Sequence, residues 1–178
     1  MEWKNLNITS TYTFFRSEFT DKNNVYHPSS WDTRHLLNLI SSYKFGKSWN
    51  VAMRWRFVGG APYSPIDLEK SGNHTAWNIT NQVYIDYNNI NSLRLPNAHQ
   101  LDVRLDKEFY FKKWVLNLYT DIQNAYNFQT KGAPIYTNKD VNGNILPVPN
   151  GDPARQGLRE FEAYSGTILP TIGLIIKI

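Results

Sequence analysis

The sequence predicts an all-β protein: an antiparallel transmembrane β-barrel fragment, about six C-terminal strands of a larger barrel. Three observations predict it. The stretch HQLDVRLDKEFYFKKWVLNLYTDIQNAYN, His99 to Asn127, puts Leu101, Val103, Leu105, Phe109 and Phe111 on one parity and Asp102, Arg104, Asp106 and Glu108 on the other. Successive side chains of a strand face opposite ways, so this is a hairpin with one apolar wall and one charged wall. Each arm runs about ten residues, the length of a tilted strand crossing a bilayer and roughly twice that of a soluble-sandwich strand. The connections along the chain alternate between tight turns and long loops, the asymmetry of outer-membrane barrels.

Composition narrows the class. Of 178 residues 41% are hydrophobic and none of the apolar runs approaches the ~18 residues of a spanning helix, which excludes a helical membrane protein. A barrel passes this test because half of each strand is polar. The 15% aromatic content, with 6 Trp and 11 Tyr, would supply girdles at the two membrane interfaces. The lack of Cys excludes a disulfide scaffold and a thiolate metal site. The net charge of +4 is dispersed among Asp, Asn and aromatics, so no nucleic-acid partner is expected.

Six segments carry the strand period. From Leu6, the residues Leu6, Ile8, Tyr12 and Phe14 alternate with Asn7, Thr9, Thr11 and Thr13. From His35, the set Leu37, Leu39, Tyr43 and Phe45 opposes Arg34, Asn38, Ser42 and Lys44, with Leu36 and Ile40 blurring the contrast. From Trp49, the set Val51, Met53, Trp55 and Phe57 alternates with Arg54 and Arg56. The His99 arm follows, and then its partner from Trp114, where Leu116, Leu118, Ile122 and Tyr126 oppose Asn117, Asp121 and Gln123. In the last segment, Ile168 to Ile178, Ile172, Leu174, Ile176 and Ile178 share a face, Gly173 and Lys177 the other, and Ile175 is an exception.

Tight connections fall at Phe45-Gly46-Lys47-Ser48 and Lys112-Lys113, and long ones from Ser17 to Asp32, Gly60 to Ala98 and Asn127 to Gly166. Short turns being periplasmic in such barrels, both termini are expected on the periplasmic side. Trp3, Trp49 and Trp114, each with a nearby Lys (Lys4, Lys47, Lys113), would begin upward strands and join Tyr43, Phe45, Phe109 and Phe111 in an inner girdle. Phe14, Phe57 and Tyr126 would lie near the outer one. Trp3 has the parity opposite to Leu6, which calls for a bulge between them.

Six pieces coincide with one family: WDTRH (Trp31 to His35), GGAPYSP (Gly59 to Pro65), RLP (Arg94 to Pro96), LDVRLDKEF (Leu101 to Phe109), LNLYTDIQNAYN (Leu116 to Asn127) and LPTIGLIIKI (Leu169 to Ile178). In this order, with long loops between, the chain resembles the C-terminal barrel portion of TonB-dependent outer-membrane receptors, particularly those of Bacteroidetes-type bacteria. Gln100 stands where family members often carry Arg, and Ile178 where they commonly end in an aromatic residue. The resemblance implies that residues 1–178 are the C-terminal part of a barrel of about twenty-two strands, without its plug domain and signal peptide. It also implies a bacterial outer-membrane location and a segment that contributes wall, extracellular loops and the closing strand to uptake of an unidentified nutrient. Its partners would be outer-membrane lipid, the N-terminal plug, the remaining barrel strands and, indirectly, the TonB system.

No GxSxG, HExxH, P-loop or dinucleotide fingerprint occurs, so no catalytic, cofactor-binding or metal residue is assigned and no enzyme activity is expected. The lumen-facing charged residues are expected to be Arg34, Arg54, Arg56, Asp102, Arg104, Asp106 and Asp121, chiefly as a ladder of cross-strand ion pairs, with a sharper role in shaping the field along a substrate path or contacting the plug. His35 and His99 are expected near the outer rim, where hydrogen bonding is favoured over metal binding because neither has a second ligand at metal spacing. Asn7, Asn73 and Asn78 match the glycosylation pattern, which carries little meaning in a bacterial envelope. Two other classes remain: a soluble β-sandwich carbohydrate-binding module, which predicts solubility without detergent, and a membrane-barrel enzyme, which requires a catalytic dyad at the rim.

Overall fold

The alternation along the chain is realised as one seven-stranded antiparallel sheet in strict sequence order. The computed structural model describes residues 5–178 and the backbone of Glu2 and Trp3. The strands are β1 (Glu2–Trp3), β2 (Leu6–Phe14), β3 (His35–Phe45), β4 (Trp49–Val58), β5 (Ala98–Tyr110), β6 (Val115–Gln123) and β7 (Leu169–Lys177). The protein is all-β with a large antiparallel sheet, and that sheet is open: β1 and β2 border one edge and β7 the other. The six long strands are 9 to 13 residues long and coincide with the six predicted segments.

Register divides the sheet into two faces. Ile8 lies opposite Ser41, Leu39 opposite Trp55, Met53 opposite Val103, Leu105 opposite Thr120, and Leu118 opposite Leu174. Thr11 lies opposite Asn38, Asn38 opposite Arg56, Arg54 opposite Asp102, Arg104 opposite Asp121, and Tyr119 opposite Gly173. The period of two therefore holds across all six long strands, and a one-residue slip anywhere would invert a strand's faces.

Burial is inverted relative to a soluble domain. Among the described residues the only buried apolar side chains are Trp77 and Pro62, whereas Asp32, Ser71, Asp102, Asp106, Asn117, Asn124 and Gln156 are all buried. The apolar face stands exposed, with Met53 at 47%, Leu118 at 45% and Ile172 at 75%. A second sheet would cover this face in a sandwich, but the other pairings among the described residues are two-stranded ones outside the main sheet.

Several expectations are corrected. Trp3 pairs with Leu6, so the two are on different strands and no bulge is needed to reconcile their parities. Trp3 accordingly ends a preceding strand instead of beginning an upward one; its grouping with Lys4 lies outside the described residues. Tyr126 lies beyond the end of β6, in the turn that opens the third long loop. Phe111 and Trp114 sit in the β5–β6 turn, their rings stacked at 4.0 Å.

The three long connections, residues 15–34, 59–97 and 124–168, all leave the same end of the sheet, opposite the short turns. They carry more local order than their composition predicts. The second holds two short helices, α1 (Leu68–Ser71) and α2 (His74–Thr80), capped by the side chains of Asp67 and Asn73. Asn73, a match to the glycosylation pattern, thus serves as a helix cap. The third loop contains the hairpin Ile135–Thr137 with Arg159–Phe161. Loops two and three are joined where the Gln156 amide donates to Gly72 O at 2.7 Å and the His74 amide to Ala154 O at 2.9 Å.

Candidate functional site

Two polar assemblies and one cavity carry the functional argument. The first assembly lies on the polar face. Arg54 on β4 donates through Nε and Nη2 to Asp102 Oδ2 at 3.0 and 2.7 Å, a bidentate approach to one oxygen. Asp102 Oδ1 accepts from Gln100 Nε2 at 2.6 Å and from the Asn124 amide at 3.0 Å. Arg56 Nη2 reaches Gln100 Oε1 at 3.2 Å and lies 4.0 Å from Asp102. Gln100, where an Arg is frequent in the resembled family, thus links Arg56 to Asp102.

Lower on the same face, Arg104 clamps Asp106 on its own strand, with Nε and Nη2 at 2.9 to 3.1 Å. Asn117 Nδ2 donates to the same carboxylate at 3.0 Å from β6. The Arg104 guanidinium also covers the Tyr119 ring, 3.9 Å from its centroid. The expected ladder is therefore of mixed origin: Arg54–Asp102 crosses strands, whereas Arg104–Asp106 lies within one. Asp121 faces Arg104 in register without taking it from Asp106. Asp102 and Asp106 each accept guanidinium and amide donors, which makes them fixed charges along the face rather than free bases.

The second assembly is a clasp at the roots of the loops, and it corrects the placement of Arg34. Arg34 precedes β3 in left-handed backbone (φ 62°), so it lies off the strand wall; its Nε is 3.5 Å from Asp32 Oδ2. Asp32 is 1% exposed. Its carboxylate accepts the Ser17 amide at 3.1 Å and is paired with Arg94, whose Nη1 also donates to Asp32 O at 2.6 Å and Gly60 O at 3.0 Å. Burial pushes the Asp32 carboxyl up, but the Ser17 hydrogen bond and the Arg94 and Arg34 charges outweigh it and hold the group below its ordinary value. Gly60 is required here because a Cβ would meet Leu95 O at 1.8 Å.

Three of the resemblance motifs, WDTRH, GGAPYSP and RLP, thus converge on one structural knot. Asp32 and Arg94 were not singled out as site residues. Their membership in those short motifs is the signal the sequence offers for them.

His35 and His99 lie at the loop ends of β3 and β5, on the apolar face, with β4 between them. Each accepts or donates through Nδ1 to a Tyr hydroxyl, Tyr12 at 2.8 Å and Tyr126 at 2.7 Å. His99 also lies against Phe128, ring centroids 3.9 Å apart. The two His residues are therefore parts of separate aromatic clusters near one rim. No group of three or more potential metal ligands occurs among the described residues.

The cavity, about 590 Å³, lies among the loops and draws lining from all three, including Ser30, Tyr63, Leu93 and Tyr136. Tyr136 donates to Glu160 Oε2 at 2.9 Å, its directly opposite hairpin partner. Burial and that carboxylate push the Tyr136 phenol up to about 12. Comparison of the chain with protein-family models, with curated proteins and with solved structures finds no match.

Proposed function

We propose that this chain forms wall, extracellular loops and closing strand of an outer-membrane receptor for TonB-dependent nutrient uptake. One observation carries the reading: a sheet of 9- to 13-residue strands exposes a predominantly apolar face while its opposite face holds buried carboxylates. In water such a face would demand a cover; in a bilayer, lipid provides it, and the polar face then lines the lumen. The two open edges belong against the remaining strands of the parent barrel. In this scheme the plug and the TonB system act on the lumen side, and the loop assembly meets the nutrient. The sandwich alternative lacks support from the fold, because it requires a second large sheet over the apolar face.

An epitope tag after Gly143 tests the arrangement, since this residue sits in a hairpin tip with nothing within 4 Å of an added Cβ. On intact cells making the parent receptor, antibody should reach this tag, and should reach a second tag at Lys113 only after the outer membrane is opened. Reversed accessibility overturns the orientation, and equal access to both tags overturns the membrane reading.

A further inference from the structure

We propose that the cavity among the three long loops binds a small organic cation, a protonated amine on a compact apolar body. The proposal deepens the reading of these loops as the capture surface and rests on it for the direction from which ligand arrives. Its volume of about 590 Å³ falls within the range of small-molecule sites, ~300–1,000 Å³.

The lining chemistry selects the charge. Pro62, Pro65, Ile85, Leu93 and Pro134 provide apolar walls, and Glu160 is the only charged residue of the lining. No Lys, Arg or His lines the cavity, so a carboxylate, phosphate or sulfonate would face Glu160 with no countercharge in the lining itself. A protonated amine meets the opposite situation. Tyr136 occupies one Glu160 oxygen, leaving the other side of the carboxylate to a ligand N–H. The phenol rings of Tyr63 and Tyr136, both in the lining, supply electron-rich surface that favours a cation.

The walls are held in place before any ligand arrives. The Asn91 amide donates to Ser64 Oγ at 2.9 Å, and Asn91 Nδ2 donates to Pro28 O at 2.7 Å, fastening the second loop to the first. The hairpin pairing of Tyr136 with Glu160 fixes the polar end. A preformed site avoids the ordering cost of assembling loops around a ligand.

Three probes of nearly equal shape separate charge from hydrophobicity: 4-fluorobenzylamine, 4-fluorobenzyl alcohol and 4-fluorobenzoate. Their fluorine NMR line broadening is titrated against the full chain in detergent micelles, with β-content checked by circular dichroism. The amine should bind about tenfold or more tightly than the benzoate, the alcohol falling between. Glu160→Gln should remove the advantage of amine over alcohol, Glu160→Lys should invert the order of amine and benzoate, and Leu93→Trp should weaken all three by filling the cavity. Equal binding of amine and benzoate, or an amine preference that survives Glu160→Gln, overturns the proposal. Broadening unchanged by Leu93→Trp also overturns it, because the probes then report the micelle. None of these outcomes depends on tag accessibility, so failure here is distinct from failure of the receptor reading.

Discussion

Arg94 donates to both the backbone carbonyl and the carboxylate of Asp32 across 62 residues of chain, and thereby ties the root of the second long loop to that of the first. The carboxylate is buried while the guanidinium is about two-thirds covered, so the pair cannot be replaced by water on both sides. Loss of one partner strands the other.

Arg94→Ala should therefore destabilise the loop roots by about 3 kcal/mol, the low end for breaking a buried pair, because Arg34 remains near Asp32. Hydrogen exchange at the Ser17 amide, which donates to the same carboxylate, should speed up while amides in the middle of β4 and β5 keep their protection. Unchanged exchange at Ser17 would show that the clasp does not hold the first loop.

The same pair sets an acid limit. The folded-state value of Asp32 lies below the ordinary 3.8, so folding favours the ionised form. Its contribution is complete above about pH 3.8 and is lost as pH falls from there through the lowered folded value. Loop protection, taken against the intrinsic exchange rate at each pH, should fall across that acid window in the wild-type chain, whereas Asp32→Asn should show low loop protection at every pH. A wild-type loop that loosens on raising pH from 5 to 8 would contradict the sign.

Tyr119 lies over Gly173, where an added Cβ would come within 2.4 Å of the phenol oxygen. Gly173→Ala must push the ring out from beneath Arg104 and should cost about 1–3 kcal/mol, as overpacking does. In Tyr119→Ala the same glycine substitution should cost much less, giving a coupling energy of about 1 kcal/mol or more in a double-mutant cycle. Additive costs would mean that the ring is not held against the glycine.

The faces can be compared directly in the parent barrel. Met53→Arg places a charge on the apolar face midway along β4 and should cost about 2–4 kcal/mol in a bilayer. Thr11→Arg, on the opposite face and exposed, should cost well under 1 kcal/mol. Denaturant titration of unfolding from lipid measures both, and equal costs would sink the assignment of faces.

What the sequence determined is whatever a strand encodes locally: the period of two, the strand lengths, and the division into tight turns and long loops. Those features survive in β2 to β7 because alternation depends only on neighbouring residues. Arg54, Arg56, Asp102, Arg104, Asp106 and Asp121 accordingly share a face by parity alone, as the register has them. Only the tertiary structure decided which charges meet. Arg104 takes Asp106 two residues along its own strand instead of the facing Asp121, and Arg34 leaves the wall because left-handed backbone turns the chain before β3. The meeting of Asp32 with Arg94, the gathering of Tyr136, Glu160 and Leu93 around one cavity, and the seating of Gly173 beneath Tyr119 depend on register and on the paths of loops tens of residues long. Local composition marks such loops as irregular but does not encode where their side chains meet, since those contacts form only after distant strands have paired.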